Sequence, residues 1–188
     1  MSGPSLSQAL AQGIQSTGID VIDVGMVATP MLYYAAHEWA GYSGVMVTGS
    51  HNPPEYNGLK MVLGGETLYG DTIQALRTRV EAGDLQQGQG KYSQRNVTEE
   101  YLAKIVGHIK LTRPIKIVVD CGNGAPGAYA PDLFRRLGCE VIELFCEVDG
   151  NFPNHHPDPA HPENLQDLIR CLQQGDAEIG LAFDGDGD

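Results

Sequence analysis

Basic residues are scarce in this sequence: 12 Lys and Arg stand against 24 Asp and Glu, a net charge of -12. A chain this acidic repels a phosphate backbone, which excludes nucleic acid as the expected partner. Cysteine is rare as well. Cys121, Cys139, Cys146 and Cys171 form no CxxC pair and no zinc-like spacing, and three of them lie in or beside apolar runs. That pattern excludes a disulfide scaffold and reads as free thiols in a reduced, cytoplasmic compartment. Long hydrophobic runs are missing too, which excludes a membrane-spanning helix of ~20 apolar residues. The opening residues Met1-Ser2-Gly3-Pro4 carry no basic stretch ahead of an apolar core, so no signal peptide is read there.

Glycine, by contrast, is abundant, with 24 of 188 residues against a usual share of ~7%. Such an excess belongs to chains in which tight turns and close backbone approaches carry the work. Apolar periodicity divides the sequence into alternating helices and strands. Helices are expected over 5–17, from Thr29-Pro30 onward, 71–81, 96–109, 128–137 and 164–173. Strands are expected over 19–24, 44–48, 59–63, 115–119, 140–145 and 178–183. Thr29 and Thr98 read as helix N-caps, with Pro30 in the first helical position. The polar, Gly/Gln-rich stretch 83–94 has no period and marks a boundary near residue 95, giving two domains, 1–95 and 96–188. Strand–helix alternation argues an α/β architecture with parallel strands. The sequence stops on an acidic turn directly after a buried strand, so it reads as part of a longer protein.

Four segments carry candidate chemistry. Thr48-Gly49-Ser50-His51-Asn52-Pro53 follows a strand and presents a hydroxyl beside an imidazole. Ser50 fits a nucleophile or phosphoryl acceptor, and equally an ordinary loop whose Ser and Asn cap turns. His51 suits proton transfer or simple anchoring of the loop, and Lys60 suits a phosphate contact or a solvated surface site. Asp184-Gly185-Asp186-Gly187-Asp188 places three carboxylates at alternate positions, which oxygen-ligated hard cations favour and which would otherwise repel one another. Gly122-Asn123-Gly124-Ala125-Pro126-Gly127 matches the dinucleotide fingerprint, with Glu143 about twenty residues on. Against it stand the Asp120 carboxylate ahead of the first glycine and Pro126, which removes a donor from the cradle. Finally, His155 and His156 with the carboxylates of the loop 149–159 could ligate a metal, but read more readily as hydrogen-bonding residues of a rigid surface loop.

Together the serine loop, the following Asn57-Gly58-Leu59-Lys60, the Gly122-Asn123-Gly124 turn, the 149–159 loop and the acidic turn resemble the α-D-phosphohexomutase family, of bacterial phosphomannomutase/phosphoglucomutase type. They occur in matching order over the whole chain. The resemblance implies two related α/β domains with mixed sheets flanked by helices: the later part of a first domain and most of a second. It implies a phosphoserine at Ser50 and Mg2+ held by its phosphate with Asp184, Asp186 and Asp188. Substrates would be a hexose phosphate (mannose or glucose 1- or 6-phosphate) and a hexose 1,6-bisphosphate. The family's Arg after the last Asp and its later sugar- and phosphate-binding loops have no counterpart here, so residues 1–188 alone are expected to lack appreciable mutase activity. A non-catalytic divalent-cation module built on the acidic turn and a dinucleotide-binding oxidoreductase domain built on 122–127 are the rival functions.

Overall fold

The computed structural model describes residues 2–53 and 55–187. Six helices are described, α1 Gly3–Gln15, α2 Thr29–Trp39, α3 Asp71–Glu81, α4 Thr98–His108, α5 Ala130–Arg136 and α6 Gln166–Gln174. The strands are β1 Val21–Asp23, β2 Gly44–Thr48, β3 Gly58–Leu63, β4 Glu66–Thr67, β5 Tyr92–Gln94, β6 Lys116–Asp120, β7 Glu140–Leu144 and β8 Ile179–Ala182. Two short 3-10 turns, Ala125–Ala128 and Pro162–Leu165, precede α5 and α6. The chain divides into two compact units. One holds the residues up to Gly25 with Leu32–Thr48 and Asn57–Asn96; the other holds Met26–Met31, Gly49–Tyr56 and everything from Val97 on.

In the first unit β2, β3 and β4 form an antiparallel meander, with Gly44 opposite Val62 and Thr48 opposite Gly58. β1 and β5 pair in parallel, Val21 against Tyr92. Leu32, Ala35 and Ala36 of α2 are buried, and the Arg95 guanidinium lies 3.6 Å over the Trp39 ring. Neither β4 nor β5 stood out in the sequence. β5 falls inside the polar stretch read as a boundary and buries no side chain, so its strand character comes from backbone pairing alone.

The second unit is built on a parallel sheet of order β7-β6-β8. The central strand carries the buried run Ile117-Val118-Val119, as a strand covered on both faces must. Ile117, Val119 and Cys121 form one face with Phe134 of α5, Val141, Leu181 and Phe183. Val118 points the other way, beside Gly180, on which Leu168 and Leu172 of α6 lie. Helices thus cover both faces of the sheet. Fully burying such a side chain contributes about 1.5–3 kcal/mol, which makes β6 the rigid base for the loops at the strands' C-terminal ends.

Both parallel and antiparallel ladders occur, but each sheet is of one kind: β2-β3-β4 is antiparallel, and β1-β5 and β7-β6-β8 are parallel. Two N-cap expectations are corrected. Both helices already include the threonine: α4 starts at Thr98 after Val97, and α2 starts at Thr29, whose hydroxyl is engaged elsewhere. The helix expected from 128 is preceded by a 3-10 turn because Pro126 and Gly127 tighten the chain there. Among the described residues, no helix is long and apolar enough to cross a membrane.

Candidate functional site

β8 ends beside β6, with Ala182 opposite Asp120, and the Phe183 N–H continues the ladder to the Asp120 carbonyl at 2.9 Å. The chain then turns, and Asp184 (8% exposed) and Asp186 (3% exposed) face inward. Asp184 Oδ1 accepts the Gly187 N–H at 2.7 Å, which closes the turn on its own side chain. Its other oxygen, Oδ2, accepts the Ser50 hydroxyl at 2.7 Å. Ser50 Oγ also lies 3.3 Å from Asp186 Oδ1. Asp186 Oδ2 in turn accepts the Thr29 hydroxyl at 2.9 Å, and the Asp186 carbonyl accepts the Thr29 N–H at 2.8 Å. Each carboxylate therefore has one oxygen tied to the protein and one turned toward Ser50.

The serine loop reaches these partners through an unusual backbone. Ser50 sits at φ 49°, in the left-handed region that costs a non-glycine residue of order 1–3 kcal/mol and is concentrated at functional sites. Local turns hold it: the Asn52 N–H donates to the Gly49 carbonyl at 2.8 Å and the Tyr56 N–H to the Pro53 carbonyl at 2.9 Å. A Cβ on Gly185 would collide with the Ser50 carbonyl oxygen, so the glycine between the first two aspartates is what lets the loops approach. His51 is exposed, with Nδ1 3.4 Å from Ser50 Oγ and 3.9 Å from Asp184 Oδ2. Asp184, at 2.7 Å, is the nearer acceptor for the serine proton.

The structure thus brings Ser50, His51, Asp184 and Asp186 together in the second unit. Asp188 lies outside the described residues. Lys60 belongs to the first unit, on β3 opposite Met46. Among the described residues, no three His, Cys, Asp or Glu side chains gather as metal ligands. The donor set described at the acidic turn is two carboxylates and a hydroxyl. All are hard oxygens, the chemistry that Mg2+ selects.

The glycine-rich turn after β6 is built differently from a phosphate cradle. The Gly122 N–H goes to Asp120 Oδ1 at 2.9 Å, Asn123 to the Phe145 carbonyl at 2.7 Å and Gly124 to the Cys121 carbonyl at 2.7 Å. Ala125 donates to the Gly185 carbonyl at 3.0 Å, and Gly127 to the Gly124 carbonyl at 3.1 Å. With those donors committed and Pro126 contributing none, the turn holds no amide nest for a pyrophosphate. It serves instead as a brace under the acidic turn. Gly127 itself is packing: a Cβ there would collide with the Cys146 carbonyl. Gly127→Ala is accordingly expected to destabilise by roughly 2–4 kcal/mol, above the ordinary cost of overpacking because backbone must move, with no change in nucleotide binding. Chemical denaturation checks the first part, and an unchanged midpoint would overturn it.

His155 is anchored as the sequence suggested. Its Nδ1 lies 2.9 Å from the His156 carbonyl and its Nε2 3.1 Å from the buried Asp120 carboxylate, with the ring edge-on to Phe145. The loop thereby clamps onto the C-terminal end of β6. Nearby, Cys146 Sγ lies 3.4 Å from Cys121 Sγ. The shared S–H contact holds Cys146 below the usual thiol range and pushes Cys121, which burial also raises, above it.

Two family models match this chain. Phosphoglucomutase/phosphomannomutase, alpha/beta/alpha domain I, matches residues 1–87, and domain II of the same family matches residues 99–188. The chain belongs to the phosphoglucomutase/phosphomannomutase family. It is 57% identical over 188 residues to the phosphomannomutase/phosphoglucomutase of Pseudomonas putida, covering all of this chain and 41% of that protein. It is 58% identical over 190 residues to the phosphoglucomutase of Neisseria gonorrhoeae, with the same two coverages. A crystal structure of a phosphoglucomutase/phosphomannomutase family protein from Burkholderia thailandensis matches at TM-score 0.95 and 57% identity, over 99% of this chain and 42% of that one. The chain thus spans about two fifths of the length of these relatives. Within the family frame, the serine loop falls in the domain I match and the acidic turn in the domain II match. Thr29 is the site residue that sequence reasoning missed. Its threonine-proline pair signals a helix start, and nothing local to it signals an aspartate 157 residues away.

Proposed function

We propose that this chain is part of a phosphohexomutase that interconverts hexose 1- and 6-phosphates through a phosphoserine at Ser50. The reading rests on one observation above all. The Ser50 hydroxyl, held at positive φ, donates to Asp184 at 2.7 Å and lies 3.3 Å from Asp186, which bridges two motifs 134 residues apart. Two buried carboxylates around one hydroxyl fit a site that exchanges a proton for a phosphoryl group in the presence of a hard cation.

Asp184 and Asp186, with Asp188, would hold Mg2+, which supplies charge neutralisation for a phosphoserine carrying nearly two negative charges. In the forward half-reaction the Ser50 Oγ–P bond breaks, a bond forms from the phosphorus to the free hydroxyl of a hexose phosphate, and the hydroxyl proton ends on Ser50 Oγ. The product is a hexose 1,6-bisphosphate. After it reorients, the bond from its other phosphorus to the sugar oxygen breaks as a bond forms to Ser50 Oγ, and the Ser50 proton ends on the freed sugar hydroxyl. Mannose and glucose phosphates are the proposed substrates, and Lys60 is the proposed phosphate contact of the first domain. His51, 3.4 Å from Ser50 Oγ, is proposed as an assisting group. A domain boundary near residue 95, between the two matched stretches, and a cytoplasmic location, which rests on the cysteine pattern of the sequence, complete the proposal.

Intact-mass and peptide analysis of the whole protein after incubation with glucose 1,6-bisphosphate tests it. One added phosphate on the Ser50 peptide is expected; an unmodified Ser50 in active enzyme would refute the assignment. A non-catalytic cation module would instead bind Mg2+ identically in wild type and Ser50→Ala and ignore sugar phosphates. A second variant probes the ion. Asp186→Asn is expected to weaken Mg2+ binding tenfold or more, and to raise the melting temperature in chelator by a few degrees because one of the crowded anions is neutralised. Calorimetric titration and thermal melts read both, and an unchanged Mg2+ affinity would sink the ligand role.

A further inference from the structure

We propose that Thr29 is a positioning residue that fixes which oxygen of Asp186 faces Ser50 and any cation bound there. The inference rests on the metal reading above and extends it to a residue outside the serine and acidic motifs. Thr29 is fully buried, at 0% exposure, at the first residue of α2. It grips Asp186 twice. The Thr29 N–H donates to the Asp186 carbonyl at 2.8 Å, and its hydroxyl donates to Asp186 Oδ2 at 2.9 Å.

The two bonds do different things. The backbone bond would survive any side-chain replacement and holds the acidic turn against the start of α2. The hydroxyl bond sets the rotation of the carboxylate. With Oδ2 anchored on Thr29, Oδ1 is the oxygen presented toward Ser50, at 3.3 Å. Asp184 is arranged in the same way by a backbone donor, since Gly187 N–H takes Oδ1 and leaves Oδ2 on Ser50. Among the described residues the site thus sets a hydrogen-bond donor behind each carboxylate, a backbone amide behind Asp184 and the Thr29 hydroxyl behind Asp186. Only the second can be removed by mutation without touching the acidic turn. Donors of this kind orient ligating carboxylates, and their loss typically costs 10–100-fold in metal affinity. Because the donor is neutral, Thr29 adds no charge to the site and leaves the carboxylate its full negative charge for an ion.

The test compares Thr29→Val, which keeps the shape and loses the donor, with Thr29→Ser, which keeps the donor and loses a methyl group. Calorimetric titration of the whole protein with Mg2+, in the dephosphorylated state, should show affinity 10–100-fold weaker in Thr29→Val and within about threefold of wild type in Thr29→Ser. The Mg2+ concentration for half-maximal turnover should rise in parallel, while KM for the sugar phosphate stays unchanged. Wild-type Mg2+ affinity in Thr29→Val would overturn the proposal. So would equal losses in Val and Ser, which would assign the effect to packing. A wild-type protein that binds no Mg2+ would overturn the metal reading itself, a failure distinct from that of Thr29. If Thr29→Val lacks a cooperative melt, Thr29→Ala is read against Thr29→Ser by the same titration and the same outcomes.

Discussion

Ser50→Ala in the whole protein is expected to lower mutase turnover at least a thousandfold, equivalent to about 4 kcal/mol of barrier at 1.36 kcal/mol per tenfold. The size of the effect follows from what surrounds the residue. Covalent transfer needs an oxygen that can take and return a phosphoryl group, and the groups described within reach of Ser50 Oγ are carboxylate oxygens of Asp184 and Asp186 and the His51 ring. The carboxylates are engaged from behind by Gly187 and Thr29, and His51 Nδ1 stands 3.4 Å off on the exposed side. None is placed to substitute for the serine oxygen. The fold should survive, because the backbone turns from Asn52 to Gly49 and from Tyr56 to Pro53 hold the loop without the serine side chain. A coupled assay with glucose 1-phosphate and bisphosphate activator, on protein freed of host mutases, reads the outcome. Near-normal turnover would remove Ser50 from the chemistry and leave the acidic turn as a cation site.

Gly185→Ala is expected to lower turnover about a hundredfold without removing any proposed reacting group. The added methyl group would collide with the Ser50 carbonyl oxygen and would also touch Pro157 at 3.5 Å. Both neighbours sit in constrained backbone, so relief has to come from moving the serine loop or the acidic turn. A displacement of ~1 Å in a phosphoryl-transfer site costs on the order of 100-fold, because donor and acceptor must stand in line at near-contact distance. The expected signature is a fall in kcat with loss of Mg2+ affinity and a modest drop in melting temperature. Unaltered kinetics would show that the two loops are not held together as tightly as their backbones indicate.

The alternation of elements was legible because runs such as Ile117-Val118-Val119 are short, β-branched and apolar throughout, as a strand covered on both sides is. The juxtaposition of Ser50 with Asp184 and Asp186 was legible only as a conjunction of two short motifs, each ambiguous alone. What stayed hidden depends on partners distant in the chain. β5 is three exposed residues, given strand character by hydrogen bonds to β1 about seventy residues earlier, and no side-chain period can announce that. The glycines at 122–127 matched a nucleotide fingerprint because spacing records only where side chains are absent. Their reason, the close passage of Cys146 and Gly185, is a tertiary fact. Thr29 was assigned to a helix cap on local grammar, and the fold gives its hydroxyl to Asp186 instead.

The serine loop joins β2 to β3, and the ladder closes just outside it with Thr48 opposite Gly58. Everything needed to form that hairpin has been synthesised by residue 63, whereas Asp184 follows Ser50 by 134 residues. At 5–20 residues per second the ribosome takes roughly 7–27 s to cover that interval, while a hairpin forms in about 1–10 μs. On a nascent chain, then, the Ser50 loop is complete for many seconds before its acidic partners exist. Its left-handed backbone, which the Asp184 hydrogen bond helps to hold, has no such support during that time. The hydrogen bonds that gather Ser50 with Asp184 and Asp186 therefore form only after β8 has emerged, and a pause in translation anywhere between the two motifs delays them.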